Sequence, residues 1–177
     1  MQDIDKLWEK AASFHGHVCP GLMIGFRAAL YAAELLETDF SEDEEIVCIT
    51  ENDSCSIDAI QVVLGCTVGK GNLLFHMRGK QAFSFYNRVN GKSVRLVQKQ
   101  KPAGLSRAES FRYYAECSNE DMFEVKKPSI ELPQKAKIFG SYICECCGEK
   151  TGENWIRLLD GKKVCLDCYE QYDRLNI

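Results

Sequence analysis

Two cysteine pairs, Cys144-Glu145-Cys146-Cys147 and Cys165-Leu166-Asp167-Cys168, have the internal spacing at which two thiols grip one metal ion. Seventeen residues separate Cys147 from Cys165, within the roughly 15–20 that divide the halves of a paired-knuckle zinc site. Zinc holds four such ligands in a tetrahedron without redox change, so Cys144, Cys147, Cys165 and Cys168 are assigned as its ligands. Cys146 is a spare thiol with no zinc role.

A second thiol-imidazole group is His15, His17 and Cys19, spaced by two so that an extended chain projects all three side chains from one face. Pro20 supports that geometry, because the residue before a proline is driven out of the helical region. Pro20 also suits the first position of a following helix, where its missing amide hydrogen does no harm. Cys19 then faces a helix N-terminus, whose partial positive charge favours a thiolate, and becomes a metal ligand or nucleophile. Cys55 repeats the situation between a strand and a helix. Cys19 and Cys55 are therefore the catalytic candidates, and His15, His17, Cys19 and Cys55 the candidate ligands of a second metal of unspecified identity. If the cleft is catalytic, an open metal position or the Cys19 thiolate carries the reaction. Cys66 lies at the far end of the same helix and has a weaker claim, while Cys48 and Cys117 read as packing residues and His76 as structural.

The elements that must position these groups follow from periodicity. Residues 4–14 carry an apolar stripe of Leu7, Trp8, Ala11, Ala12 and Phe14, and residues 22–37 make a broadly apolar, buried helix. Residues 45–51 have the β-branched content of a central strand, and a helix from Ile57 to about Leu64 follows, with Ser54 or Ser56 as its cap. Strands are predicted over 73–78, 82–89 and 93–98, the last two joined at Asn90-Gly91 in a type I′ turn. A helix over 106–117 precedes a polar, proline-containing passage with at most one short strand. In the cysteine-rich tail, Trp155 to Val164 reads as two strands about Asp160-Gly161, and Tyr169 to Leu175 as a helix. Knuckle, hairpin and helix make a treble-clef-like finger; a zinc ribbon, with both pairs on knuckles, is the alternative. So short a module depends on its metal to fold.

The 177 residues, 45% of them apolar, suffice for a real core and a second small unit, with the boundary expected near Pro133: a core over 1–133 and a finger over 134–177. The fold class is α+β, a small mixed or antiparallel sheet flanked by helices, since strands and helices do not alternate regularly. No apolar run approaches twenty residues and the start is polar and acidic, so a cytoplasmic protein is expected. Ten cysteines then point to metal and thiol chemistry over a disulfide framework. Residues 34–58 carry ten acids and no Lys or Arg, whereas 70–112 carry ten bases and one acid, Glu109. The two segments complement each other across the fold, or the basic one attracts an anion. The loop Gly65 to Asn72 is no nucleotide-triphosphate loop: three residues separate Gly65 from Gly69-Lys70 where four are needed, and Gly71 replaces the magnesium-binding hydroxyl. A glycine nest for an anion, with Lys70 near, is the residual reading.

His15-Gly16-His17-Val18-Cys19-Pro20-Gly21, Asp53-Ser54-Cys55-Ser56-Ile57-Asp58-Ala59-Ile60-Gln61 and Gly65-Cys66-Thr67-Val68-Gly69-Lys70-Gly71-Asn72 together resemble the FmdE family, named for a component of molybdenum or tungsten formylmethanofuran dehydrogenase. The resemblance covers roughly residues 10–125, and the finger matches the extra zinc module many members carry. It implies an α+β core, a homodimer, a metal-holding cleft lined by the His and Cys motifs, and association with an enzyme that handles carbon dioxide as a formyl group. It does not imply that this chain performs that chemistry, since no cysteine pattern for an iron-sulfur cluster is present. Two functions follow as expectations. One is a metal-binding protein, accessory or redox-linked to a molybdenum or tungsten enzyme, whose cleft also takes an anionic pterin-like or other small substrate. The other is a zinc-finger adaptor that binds nucleic acid or a partner protein through the finger and the basic strands, where Phe83, Phe85 and Tyr86 interleave with Arg78, Lys80 and Arg88.

Overall fold

The computed structural model describes residues 3–175. The chain forms two compact units, Met1–Ala136 and Lys137–Ile177. In the first, α1 (Ile4–His15) starts at an Asp3 cap and ends at Gly16, in the left-handed region with φ 83°. α2 (Pro20–Leu35) begins on Cys19 with proline in its first turn and is buried on most of its surface. β1 (Ile46–Thr50) leads into α3 (Ser56–Leu64) and back to β2 (Leu73–Phe75), which runs parallel to β1. β3 (Ala82–Asn87), β4 (Ser93–Gln98), α4 (Arg107–Glu116), the single turn α5 (Asn119–Met122) and β5 (Phe123–Lys126) follow. The five strands lie in the order β2-β1-β3-β4-β5, antiparallel except for β1 and β2.

Strand alternation divides the sheet. Cys48, Phe83, Phe85 and Leu96 face the helices in the main core, while Val47, Ile49 and Tyr86 face the other way with Ile130 packed on them. The Tyr86 hydroxyl donates to the Ile130 carbonyl at 2.6 Å and pins the segment after β5 to that face. Phe83 and Phe85 are wholly buried, so the basic strands offer no stacking surface for bases.

Helix contacts bring the chemistry-bearing segments together. A Cβ on Gly25 would lie 1.9 Å from the Ser56 carbonyl oxygen, so only glycine lets α2 approach the start of α3 this closely. Arg27 donates to the carbonyls of Tyr114, Ala115 and Cys117 and to Asn119 Oδ1, satisfying the end of α4 from α2. Asn72 is fully buried and its amide donates to Asp43, Ile46 and Gly65, tying the glycine loop to the strand's entry.

The two charged segments meet within this unit. Arg95 grips Glu51 through two hydrogen bonds of 2.6 and 3.0 Å, Lys92 pairs with Glu37 and Arg88 with Glu44. Lys70 donates to the Ser41 carbonyl and sits over the Phe40 ring, which removes it from any anion nest.

Several local expectations are corrected. α3 is capped by Cys55 without a side-chain hydrogen bond, because Ser54 and Ser56 both turn to Asn52. The β3–β4 hairpin uses a five-residue loop rather than a type I′ turn, with Gly91 but not Asn90 at positive φ; Asn90 instead donates to the Leu36 carbonyl. His76 lies past the end of β2.

The second unit holds two hairpins, β6 (Ser141–Ile143) with β7 (Lys150–Gly152) and β8 (Arg157–Leu159) with β9 (Lys162–Val164). Asp160 and Gly161 both have positive φ, as a type I′ turn requires. The helix expected over 169–175 does not form. Seven residues are too few to hold a helix alone, and Tyr172 and Leu175 find nothing to pack against, at 85% and 74% exposure. Cys165 and Cys168 sit instead on a single 3-10 turn, so among the described residues the finger lies nearer the ribbon alternative. No helix among those residues is long and apolar enough to cross a membrane.

Gly25→Ala should cost about 2 kcal/mol or more of stability, as overpacked cores do, read as a lower urea midpoint; an unchanged midpoint contradicts the contact. Arg95 holds the Glu51 carboxyl below its ordinary value of 4.5, chiefly through their hydrogen bonds. The resulting stability is present above about pH 4.5 and is lost as pH falls through the lower folded value. Arg95→Met should flatten that part of the acid unfolding curve.

Candidate metal centres

The core group forms where α1 ends and α2 begins. His15, His17 and Cys19 each place a ligand atom within 4.8 Å of the others. They are not on one extended run as expected: His15 occupies the last position of α1, and the turn at Gly16 carries the chain to His17 and Cys19. Cys19 is extended (φ −149°, ψ 161°) and 5% exposed, and the Leu22 amide donates to its sulfur at 3.3 Å. His15 Nε2 lies 3.8 Å from that sulfur, and the two histidine rings stack at 4.4 Å.

The other nitrogen of His15 is held as well. Nδ1 lies 2.7 Å from Asp58 Oδ2, and Gln61 donates to the second oxygen of that carboxylate at 3.2 Å. A carboxylate on the far nitrogen fixes tautomer and ring orientation, the usual support of a metal-ligating histidine. Asp58 and Gln61 were missed as site residues, although Asp58 stands one turn along α3 from Cys55 and so shares its face.

Cys55 is beside this group but outside the mutual 4.8 Å set. Gly21 marks the approach: a Cβ there would be 3.1 Å from Cys55 Cβ, 3.7 Å from its sulfur and 3.9 Å from the Cys19 sulfur. Burial first, and then a hydrogen bond with Cys19, raise the Cys55 thiol pKa. Cys55, His15 and Asp58 line a cleft of about 430 Å³ at the end of β1. Cys66 is fully buried, its thiol pushed up to about 12 by burial, and donates to the Ile46 carbonyl away from the site. Cys48 is likewise buried in the sheet, and Cys117 caps α4.

In the second unit, Cys144, Cys147, Cys165 and Cys168 place their sulfurs within 4.8 Å of one another. Gly148, at φ 78°, closes the first turn by donating to the Cys144 carbonyl. The amide of Cys165 donates to the Cys144 sulfur at 3.3 Å. Amides of Cys147 and Cys165 lower the Cys144 thiol to about 6, whereas the adjoining Cys165 thiol raises Cys168 strongly. Four thiols crowded this closely resist joint ionisation, and a dication removes that resistance. The donor set fits zinc. Cys146 is exposed and outside the group.

The family described as "FmdE, Molybdenum formylmethanofuran dehydrogenase operon" matches residues 14–138. The chain belongs to the FmdE family. Residues 137–174 match the prokaryotic dksA/traR C4-type zinc finger, so this is an FmdE protein with a carboxyl-terminal zinc finger whose zinc-binding site is made of four cysteines. A solved FmdE-like protein of tungsten formylmethanofuran dehydrogenase from Syntrophus aciditrophicus is similar at 26% identity and a TM-score of 0.69, covering 94% of this chain and 92% of that one. A probable S-adenosyl-L-methionine-binding protein of Archaeoglobus fulgidus is 28% identical over 96% of this FmdE chain, which spans 54% of that protein's length.

Stripping zinc with a strong chelator should leave the amides of β6 to β9 exchanging at unfolded rates while β1 and β3 stay protected, as read by hydrogen exchange. Retained protection in the finger would contradict a structural metal.

Proposed function

We propose that the FmdE core binds a transition metal through His15 Nε2, His17 and Cys19, with Cys55 at the rim, and that the protein is an accessory or redox-linked component for molybdenum or tungsten formylmethanofuran dehydrogenase-type enzymes. The observation that carries the metal reading is the three mutually close donor atoms, one of them on a histidine whose other nitrogen bonds Asp58. The family match and the Syntrophus neighbour support the enzyme association.

Two imidazoles and one thiolate leave a tetrahedral ion one open position. A bound metal would there supply Lewis acidity or an activated water. The protein's own part is orientation: Asp58 and Gln61 hold His15, and the start of α2 presents an amide to the Cys19 sulfur. Cys55 adds a fourth donor or a second thiol next to Cys19. The adaptor reading loses the basic strands, since Arg88, Lys92 and Arg95 are in ion pairs and Phe83 and Phe85 are in the core.

Elemental analysis of the full chain purified without chelators should find two metal ions per chain, one for each centre. His17→Ala with Cys19→Ser should lower this to one, and Asp58→Asn should weaken core metal affinity by about 10–100-fold. Undiminished metal content in the double variant would dispose of the core centre. The accessory role is checked by adding this protein or the double variant to a dehydrogenase preparation lacking it; equal activity would refute that part.

A further inference from the structure

A second cleft opens on the other side of Cys19, between the start of α2 and one face of α4. Its volume is about 590 Å³, within the range of small-molecule sites. Val18, Cys19 and Pro20 form one wall. The other is a helical stripe in which Ala108, Phe111, Arg112, Ala115 and Glu116 repeat at three- and four-residue spacing. This is not the face by which α4 packs, since Ser110 and Tyr114 are its buried residues. Arg27 fixes that helix by donating to three carbonyls at its end, so the wall is held in place.

Charge distinguishes this cleft from an ordinary gap. Arg107 and Arg112 both line it, are exposed and make no hydrogen bond or ion pair with another described residue. Arg107 is also in the first turn of α4, where a cation opposes the helix dipole and so has no local stabilising reason to be there. Its charge adds to the positive helix end. Glu116, the one acid in the lining, is nine residues further along, about 13 Å away at the helical rise. The cationic end and the carboxylate are therefore well separated, with Phe111 and the alanines between.

The geometry points to this cleft as the binding site of a small organic anion with an apolar body, its carboxylate, sulfonate or phosphate held by Arg107 and Arg112 and its body against Phe111, Val18 and Pro20. The inference rests on the core-centre reading for one feature only, that the ligand ends beside Cys19 and thus within reach of the metal. Two guanidinium groups suit an oxyanion through charge-assisted hydrogen bonds. The opposite cleft, lined by Asp53 and Asp58, has the wrong charge for such a ligand.

The test uses the full chain and two fluorescent probes with the same aromatic body, anilinonaphthalene sulfonate and the neutral N-phenyl-naphthylamine. The sulfonate should bind once per chain. Arg107→Gln with Arg112→Gln should weaken it about tenfold or more while leaving the neutral probe unchanged. Ala108→Trp should fill the cleft and exclude both. Equal sulfonate affinity in wild type and the arginine double variant, equal loss of both probes there, or undisturbed binding in Ala108→Trp would each overturn the proposal. All three positions are exposed, and circular dichroism confirms that the variants fold. Metal content is measured on the same preparations. A wild type that lacks core metal but still separates the two probes as described supports the cleft and counts against the metal reading alone.

Discussion

How closely α2 can approach α3 governs nearly everything in the first unit. At Gly25 the helix lies against the backbone of Ser56, with no room for even one methyl carbon. One turn earlier, Gly21 lies against Cys55. These two positions bring the end of β1 and the start of α2, far apart in sequence, into one neighbourhood, and Cys19, Cys55 and Asp58 arrive there with them. Bulk at either glycine would separate the helices and with them the donors. The metal centre is thus a consequence of helix packing before it is a matter of ligand chemistry.

Polar groups secure the same arrangement where apolar packing is thin. Asn72 bonds four partners from a fully buried position and closes the loop that returns from α3 to the sheet. Arg27 satisfies the carbonyls at the end of α4. Buried groups with this many partners are expensive to disturb, because each orphaned donor or acceptor costs about 1–3 kcal/mol. The acidic and basic segments act in the same sense. Their charges are spent on each other across β1, β3 and β4, so the lopsided sequence gives a nearly balanced surface there.

Elements set by local pattern were legible in the residues. The buried helix after Pro20, the central strand over 46–50 and the capped helix from Arg107, with its Ser106–Glu109 capping box, all carry their own signals. So did the Asp160-Gly161 turn, where nothing competes with local preference. At Asn90-Gly91 a tertiary contact won: Asn90 is drawn to the Leu36 carbonyl, and the loop lengthens to allow it. The segment after Cys168 failed for the opposite reason, since a helix of that length needs a surface to pack on. His15, His17 and Cys19 were legible as a group but not in their geometry, which depends on where α1 stops. Asp58 was illegible as a partner of His15, 43 positions away, because only folding makes them neighbours.

The two centres differ in what surrounds their donors, and that difference argues for different roles. In the finger all donors are thiols on tight turns, amides already favour one thiolate, and the neighbouring thiols oppose the rest. Such a set is completed by a closed ion and has nothing left over for a substrate. In the core the donors are mixed, a carboxylate orients one imidazole, and a thiol waits at the rim. Clefts open on both sides, one acidic and one rimmed by arginine. Three ligands between two openings make sense for an ion that must meet something else. A purely structural ion would gain nothing from that exposure, and His17, left open to solvent, would be the first ligand to exchange.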